Sequence, residues 1–262
     1  MFAEERQLLI AELIAERGRV TVNQMAERFH ITPETVRRDL DTLESARALR
    51  RVHGGAVAMN KLSMSEPSLR ERQTQRPDEK SRIAAAALAL IPTSRTASIV
   101  LDAGTTTELL ADRLVEWKPS SPGDQLLVIT NAIPIASKLS ANDEIQLHIL
   151  GGRVRGLTSA VVGDSTTNQL AALRADIAFV GTNGVDAVFG FSTPDTVEAA
   201  VKTAMVRSAR RVVVLADSAK LGEETLVRFA ALADVDTLIT DAPPSPELAA
   251  ALGAADVEVV IA

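Results

Sequence analysis

The chain contains no cysteine among its 262 residues. This absence excludes disulfides, zinc–thiolate sites, iron–sulfur clusters and thiol nucleophiles. Only three histidines occur, His30, His53 and His148, and they are scattered too widely to support a histidine metal site. We therefore expect no metal and no cofactor.

Long hydrophobic runs are also missing. The longest run, from Ile83 to Ile91, has nine residues and stops at Pro92, so it is too short to span a bilayer. The N-terminal sequence MFAEERQLL lacks the pattern of a signal peptide. Apolar residues still make up 46% of the chain, which is enough to bury a sizeable core. These features predict a soluble, cytoplasmic protein with one large domain or two smaller ones, and no membrane partner.

Lysine is absent from the first 60 residues, which carry nine arginines and nine acidic residues. The net charge of −6 for the whole chain therefore arises entirely after residue 60. Five of the nine arginines lie between Arg37 and Arg51. Arginine is suited to bidentate recognition of phosphate or guanine, although a solvated helix face has the same composition.

Three short helices are predicted at the N-terminus. Apolar residues at helical spacing, Leu9, Ile10, Leu13 and Ile14, predict a first helix over residues 3–17. Thr21 and Gln24 have the spacing of a capping box for a second helix. Thr32 followed by Pro33 predicts the start of a third, whose core stripe is Val36, Leu40 and Leu43.

The second and third of these helices have the arrangement of a helix-turn-helix, because a tight turn joins them and the third helix leaves polar residues exposed. Two short strands around His53-Gly54-Gly55 follow and predict a wing. Such a third helix fits the DNA major groove, while wing residues lie along the phosphates. The candidate DNA-binding residues are Thr32, Glu34, Thr35, Arg37, Arg38, Arg50, Arg51 and His53.

The stretch from Arg6 to Val57 resembles the N-terminal domain of DeoR-type bacterial transcription regulators. The resemblance is carried by RVTVNQMAERFHITPETVRRDLDTLE and by the ending RRVHGGA. This chain departs from the family at Ala46-Arg47-Ala48, where a glycine usually follows the recognition helix. We expect the helix-turn-helix domain to span residues 1–58 and a polar linker, with a short helical piece around Ser68–Gln75, to span residues 59–80. That linker is either a hinge that transmits a change or a passive tether.

From residue 81 to residue 262, short β-branched runs alternate with helical stretches. This alternation predicts an α/β domain with a mostly parallel sheet that is covered on both faces. Small and polar residues cluster after five successive strands, beginning with Asp102-Ala103-Gly104-Thr105-Thr106-Thr107. Free backbone N–H groups and a helix dipole meet in such a loop, so we expect a phosphate-bearing ligand there. The sequence contains no GxGxxG and no GxxxxGK[ST], so neither a Rossmann dinucleotide site nor a P-loop is supported.

The same region resembles the sensor domain of DeoR-type regulators through LDAGTTT, VITN, LGGRVR, AFVGTNGVD with GFSTPD, EAAVKTAM, VVLADSAKLG and LITD. The resemblance implies a fold similar to ribose-5-phosphate isomerase and a phosphorylated sugar or related metabolite as effector. It implies that Gly104, Thr105, Thr106 and Thr107 hold the phosphate. It also implies that Asn131, Gly152, Asn183, Asp186 and Lys220 contact the sugar or complete the pocket. Asp102 and Asp217 are either ligand contacts or caps of their loops.

Two functions remain open at this point. One is a DNA-binding repressor of sugar uptake or catabolism genes, a dimer or tetramer on double-stranded operator DNA that a phosphorylated sugar releases. The other is a sugar-phosphate isomerase with an appended helical head, in which Asp186 and Glu198 supply carboxylates. The helical head favours the repressor and no enzymatic activity, because an isomerase has no need of it.

Overall fold

The computed structural model describes residues 3–17, 19–46, 48–52, 54–58, 68–93, 96–121 and 123–262. The chain divides into two compact units, Met1–Met64 and Ser65–Ala262. Among the described residues, no helix has the length and apolar character needed to cross a membrane.

The first unit contains the three predicted helices and a small sheet. Its elements are α1 (Ala3–Arg17), β1 (Arg19–Thr21), α2 (Val22–Phe29), α3 (Pro33–Ser45), β2 (Leu49–Val52) and β3 (Gly55–Ala58). The predicted capping box is present, since the Thr21 hydroxyl accepts from the Gln24 N–H at 3.3 Å and the Gln24 side chain accepts from the Thr21 N–H at 2.9 Å. His30 adopts a left-handed conformation and ends α2.

The wing has one strand more than the sequence indicated. Strand β3 pairs on one side with β2 and on the other with β1, both antiparallel. Gly55 lies where β1 and β3 approach most closely, and a Cβ there would lie 2.3 Å from the Val20 carbonyl oxygen. Glycine is therefore required at this point of the wing.

The core of the first unit follows the predicted stripes with one correction. Val36, Leu40 and Leu43 of α3 are buried, as are Ile10, Leu13 and Ile14 of α1. Leu9 was expected in the same stripe but is 39% exposed. Leu9 lies at the edge of the apolar face of α1. Only the residues of that face that pack against α3 and the wing are buried, so Leu9 stays partly exposed.

Asp39 is the polar residue that joins α3 to α1. It is 3% exposed, and its carboxylate accepts from the Arg6 Nε at 2.6 Å and from the Gln7 side chain at 3.0 Å. The hydrogen bond that the Arg6 guanidinium donates to Asp39 raises the pKa of Arg6. Since Asp39 and Arg38 are neighbours on α3, the buried carboxylate fixes which face of the helix the arginine occupies.

The second unit is built on helices and strands whose bounds are as follows. The helices are α4 (Leu69–Thr74), α5 (Pro77–Leu88), α6 (Thr105–Leu114), α7 (Ile133–Leu139), α8 (Asp164–Ala171), α9 (Thr196–Arg207) and α10 (Pro246–Ala254). The strands are β4 (Ala97–Leu101), β5 (Leu126–Thr130), β6 (Ile145–Ile149), β7 (Arg153–Arg155), β8 (Ala160–Val162), β9 (Ala175–Gly181), β10 (Gly184–Asp186), β11 (Gly190–Thr193), β12 (Ala209–Leu215), β13 (Val227–Ala230), β14 (Thr237–Thr240) and β15 (Glu258–Ile261).

The main sheet has seven strands in the order β15-β14-β12-β9-β4-β5-β6, and every pair is parallel. The chain leaves β4 toward one edge through β5 and β6, and then crosses to β9 and continues toward the other edge. The boundary between β4 and β9 is therefore a topological switch point. Ligands of open α/β sheets bind in the crevice beyond the carboxyl ends of the strands at such a point.

Both faces of this sheet are covered, as the near-continuous apolar strands predicted. One core contains Ile83 of α5, Leu110 of α6 and Ile135 of α7. The opposite core contains Leu170 of α8, Met205 of α9 and Leu248 of α10. Successive residues of β12 alternate between the two cores, which is the arrangement of a strand buried on both sides.

Antiparallel elements add to the predicted parallel sheet. Strands β7 and β8 form a hairpin, and β10, β11 and β13 form a separate three-stranded sheet. Residues 184–186, which follow β9, form the short strand β10, in which Val185 is fully buried and pairs with Phe191.

Residues 68–80, here called the entry segment, fold onto the second unit although they were expected to be linker. Ser68 and Glu71 form a capping box that starts α4. Pro77 is at the first position of α5, whose residue Ile83 reaches the core. The expected linker residues 59–67 lie outside the described residues.

Replacement of Asp39 by Asn should destabilise the first unit by about 2 kcal/mol, because the mostly buried Arg6 loses its charged partner. Asp41→Asn is the matched control, since Asp41 pairs with Arg51 at the surface and should cost about 0–1 kcal/mol. Trp117 is the only tryptophan and lies in the second unit, so unfolding of the first unit alone leaves tryptophan fluorescence unchanged. A loss of helical circular dichroism without a change in fluorescence therefore measures unfolding of the first unit. Equal shifts for both variants would contradict the assigned role of Asp39.

Candidate nucleic-acid interface and ligand cleft

The N-terminal half of α3 presents a polar surface. Thr32 caps the helix, since its hydroxyl accepts from the Thr35 N–H at 3.2 Å, and the two threonine hydroxyls lie 2.9 Å apart. Glu34, Arg37 and Arg38 are exposed on the following turns, while Thr35 is half-buried. The first turns of a groove-reading helix are those that reach base edges, so these side chains are placed as such a helix requires.

The two arginines of α3 differ in their surroundings. Arg37 pairs with Glu34 at 3.1 Å, and both side chains are more than half exposed. Arg38 contacts no acidic group among the described residues, so its guanidinium can meet a phosphate or a base edge without breaking an ion pair. The guanidinium of Arg37, in contrast, has to leave Glu34 before it can meet a phosphate or a base edge.

The wing is connected to α3 through strand β2. The Arg51 side chain contacts Asp41, and the Arg51 N–H donates to the Glu44 carboxylate at 2.8 Å. The backbone of Arg50 pairs with Val57 in the wing sheet. The side chain of Arg50 and the whole of His53, both predicted to contact phosphates, lie outside the described residues.

In the second unit, a cleft opens at the switch point of the main sheet. The loops after β4, β9 and β12 form its floor and two walls, and the entry segment forms a further wall. The polar and charged residues that line it are Arg72, Gln75, Lys80, Thr105, Thr106, Thr107, Thr182, Asn183, Glu198, Lys202, Asp217 and Lys220. Six predicted effector residues are thereby brought together, namely Gly104, Thr105, Thr106, Thr107, Asn183 and Lys220.

The start of α6 offers unpaired donors to this cleft. Gly104 is the N-cap and has no side chain to accept from the first turn. The Thr107 hydroxyl turns inward and donates to the carbonyls of Asp102 at 2.7 Å and Gly104 at 2.9 Å. Among the described residues, no acceptor meets the N–H groups of Thr105, Thr106 and Thr107. Donors of this kind, together with the positive end of the helix dipole, bind an anion.

A buried ion pair lies beneath the cleft. Asp102, at the end of β4, contacts the Lys202 ammonium and accepts from the Gly181 N–H at 2.9 Å. Lys202 also donates to the Gly181 carbonyl at 2.9 Å, so the pair joins α9 to the ends of β4 and β9. Burial raises the pKa of Asp102, and the neighbouring Lys202 opposes that rise.

Cations predominate on the walls. The Lys80 ammonium donates to the carbonyls of Arg72 at 2.5 Å and Gln75 at 2.6 Å, and burial lowers its pKa. Lys220 is half-buried and pairs with no acidic group among the described residues. The one wall carboxylate near Lys202, Glu198, is neutralised by Arg155 at 3.2 Å. An anionic ligand therefore meets cations that remain available to it.

Four predicted effector residues lie outside the lining of the cleft. Asp102 is beneath it, and Asn131 supports its floor by accepting from the Ala103 N–H at 3.0 Å. Gly152 lies beyond β6, where a Cβ would come within 2.4 Å of the Thr166 hydroxyl. Asp186 caps the β10–β11 turn through the Val188 and Phe189 N–H groups. The loops after β5 and β6 lie on one side of the switch point, and for that reason their residues do not reach the cleft.

Several lining residues were not among the predicted site residues. Arg72, Gln75 and Lys80 belong to the entry segment, and no local sequence pattern marks them as part of a site. Lys202 follows Glu198 by four residues, so the two share one face of α9. A polar stripe on the buried face of an otherwise apolar helix was the sequence signal that could have indicated Lys202 as a site residue.

Both units match sequence models of known domains. The model of the DeoR C terminal sensor domain matches residues 75–242. The model of the DeoR-like helix-turn-helix domain matches residues 6–61. The two matches correspond to the two compact units and together cover most of the chain.

Full-length relatives and a solved structure were also found. The "uncharacterized HTH-type transcriptional regulator FruR" of Bacillus subtilis is 34% identical over 242 residues, covering 92% of each chain. The glycerol-3-phosphate regulon repressor of Escherichia coli is 30% identical over 235 residues, covering 90% of this chain and 89% of the repressor. Ribose 5-phosphate isomerase A of Methanocaldococcus jannaschii is 20% identical with a TM-score of 0.40, covering 56% of this chain and 55% of the isomerase.

Replacement of Lys202 by Met should destabilise the second unit by about 3–5 kcal/mol, because it leaves Asp102 buried without its partner. The double variant Asp102→Asn with Lys202→Met should recover part of this loss, since the uncompensated charge is gone. Lys138→Met is the control, because Lys138 is one-third exposed and its ion pairs should contribute about 0–1 kcal/mol. Trp117 fluorescence during denaturation measures all three variants, and a double variant no more stable than Lys202→Met would be inconsistent with the buried pair.

Proposed function

This chain belongs to the DeoR family of DNA-binding transcriptional regulators, and we propose that it represses genes of sugar uptake or catabolism until a phosphorylated sugar releases it from the operator. The observation that carries this proposal is the pairing of an exposed arginine-bearing α3 in one unit with a cationic cleft in the other. On this proposal the protein acts in the cytoplasm on double-stranded operator DNA.

The proposed reading of DNA assigns different tasks to neighbouring residues. Arg38 and Arg37 divide between base edges and phosphates, and Thr35 and Glu34 help to select the bases. Thr32, Arg50, Arg51 and His53 fix the register by contacts along the phosphate backbone. Arg38 carries most of this proposal, because its guanidinium is exposed and is not engaged by an acidic residue within the described part of the chain.

The protein is proposed to bind as a dimer or tetramer. One helix of thirteen residues contacts only a few base pairs, so one copy reads too little sequence to select an operator. Two copies on a two-fold axis place their α3 helices in successive major grooves.

Replacement of Arg38 by Ala should weaken operator binding by about 1–3 kcal/mol, because a contact to a base or phosphate is lost. Arg28→Ala is the matched control, since it removes the same charge from an exposed position on α2. Fluorescence anisotropy on promoter DNA and on scrambled DNA measures both variants at several salt concentrations. Equal losses for the two variants, or no loss for Arg38→Ala, would refute the assignment of Arg38.

The proposed effector is a phosphorylated sugar or a closely related metabolite. Its phosphate lies on the N–H groups at the start of α6, with Thr105 and Thr106 beside it, and Lys220 reaches it from the opposite wall. Asn183 meets the sugar hydroxyls, while Asp102 and Asn131 hold the loops of Gly181 and Ala103 that line the pocket. The name of the Escherichia coli relative, a glycerol-3-phosphate regulon repressor, is consistent with a phosphorylated metabolite as the signal.

An isomerase function is not favoured. A general base has to hold its proton-accepting atom free for the substrate. The Glu198 carboxylate is instead engaged by Arg155 and by the Thr158 hydroxyl, and Asp186 caps a turn away from the cleft. The relatives named above are transcriptional regulators.

Thr106→Ala and Lys220→Ala should retain operator binding but lose the response to the effector. Lys118→Ala is the control, because Lys118 is exposed and does not line the cleft. The measurement is release from promoter DNA by glycerol 3-phosphate, glucose 6-phosphate and fructose 1-phosphate, each tested beside its unphosphorylated form. If both cleft variants respond as the unmodified protein does, the effector site lies elsewhere.

A further inference from the structure

We infer that Arg76 is the positioning residue that transmits occupancy of the cleft to the entry segment, and so toward the DNA-binding unit. It does this through Asp241, which holds Arg76 and the loop of Lys220 at the same time. The inference rests on the proposed function, because it assigns the route by which the cleft acts on operator binding.

Asp241 lies just after β14 and connects two walls of the cleft. One of its carboxylate oxygens accepts from the Ser218 N–H at 2.6 Å, and the other accepts from the Ser218 hydroxyl at 3.0 Å. The second oxygen also accepts from the Arg76 guanidinium at 2.9 Å. Ser218 begins the short turn that ends at Lys220. A single side chain that is 5% exposed therefore fixes the Lys220 turn and the entry segment to each other.

Arg76 is held by more than this one contact. Its guanidinium also lies 3.2 Å from Glu79 and 3.8 Å from Asp217, which itself lines the cleft. Its backbone is in the left-handed region, with φ of 53°, between α4 and α5. A residue other than glycine at positive φ persists where surrounding contacts hold it, and these three carboxylates supply them.

The entry segment is in a position to respond to a ligand. Arg72, Gln75 and Lys80 line the cleft from this segment, and Lys80 fastens the end of α4 by its two carbonyl contacts. At its other end the Leu69 N–H donates to the Leu157 carbonyl at 3.1 Å, within the turn of the β7–β8 hairpin. Residues 59–67 follow next along the chain toward the first unit.

The cleft offers a ligand contacts on the Lys220 turn and on the entry segment, and Asp241 connects these two parts of the molecule. An anion drawn between Lys220 and the start of α6 moves the Ser218 turn, and Asp241 carries that displacement to Arg76. Coupling of this kind requires a physical connection between the ligand site and the element whose arrangement changes, here the entry segment. The Arg76–Asp241–Ser218 connection supplies it, while Arg76 itself stays outside the lining of the cleft.

The test uses the full chain with the substitution Arg76→Asn, because asparagine tolerates positive φ and the variant removes the guanidinium that contacts Asp241. Arg76→Lys keeps the positive charge near Asp241 and should restore at least part of the response. Arg70→Asn is the matched control, since it removes the same charge from an exposed position of the same segment. Each protein is measured for fructose 1-phosphate binding, for operator binding, and for the change in operator affinity that fructose 1-phosphate, or another sugar phosphate that releases the unmodified protein, produces.

In the unmodified protein we expect the sugar phosphate to weaken operator binding about 5–150-fold. Arg76→Asn should reduce this factor to less than threefold while it changes sugar-phosphate binding and basal operator binding by less than threefold each. Arg70→Asn should leave all three measurements unchanged. Full retention of the factor in Arg76→Asn, or loss of sugar-phosphate binding there, overturns the inference while leaving the proposed function intact. If no sugar phosphate releases the unmodified protein, the proposed function fails and the inference fails with it.

A second measurement covers the case in which Arg76→Asn folds poorly. Hydrogen exchange of the α4 amides, Leu69–Thr74, is followed in the unmodified protein with and without the sugar phosphate. The inference predicts that the protection of α4 changes on binding together with that of the turn Ser218–Lys220. A change confined to the start of α6 contradicts it.

Discussion

The ion pair of Asp102 and Lys202 is the interaction on which the cleft depends. It crosslinks α9 to the ends of β4 and β9, the two strands between which the chain reverses its direction across the sheet. The helices that follow these two strands, α6 and α9, pack on opposite faces of the sheet and leave a crevice between their loops, and the buried pair connects the two sides of that crevice. The loop that begins α6 follows Asp102 directly, so the contacts of Asp102 with Lys202 and Gly181 position the start of that loop.

A buried ion pair also orients functional side chains in the first unit. There Asp39 is buried and bonded to Arg6, and it fixes the rotation of α3 about its axis. Arg38, the neighbour of Asp39, is consequently turned to solvent. In both units a buried carboxylate with a cationic partner from another element orients the functional side chains beside it. Such pairs contribute little net stability against an apolar replacement, and their value here is the defined orientation that they impose.

The sequence was sufficient for the elements but not for every site residue. The apolar stripe of Val36 and Leu40 and the capping box at Thr21 located the helices of the first unit, because both signals are local. The parallel sheet and the loop before α6 were recognisable for the same reason. The short helix of the entry segment was recognisable too, but its place in the cleft was not, since Arg72 and Lys80 line the cleft only after α5 has packed on the sheet. Likewise Asn131 and Gly152 follow strands as site residues do, but the strand order, which is not a local property, leaves them outside the lining of the cleft.

The central claim is that a phosphate group in the cleft governs operator binding by the other unit. The most direct measurement is a titration of the preformed complex of the full chain and its promoter DNA with one sugar in both its phosphorylated and its free form. We predict that the phosphorylated form dissociates the complex in a saturable manner and that the free sugar leaves it intact at the same concentrations. Equal dissociation by both forms, or by neither across a panel of sugars, would contradict the account.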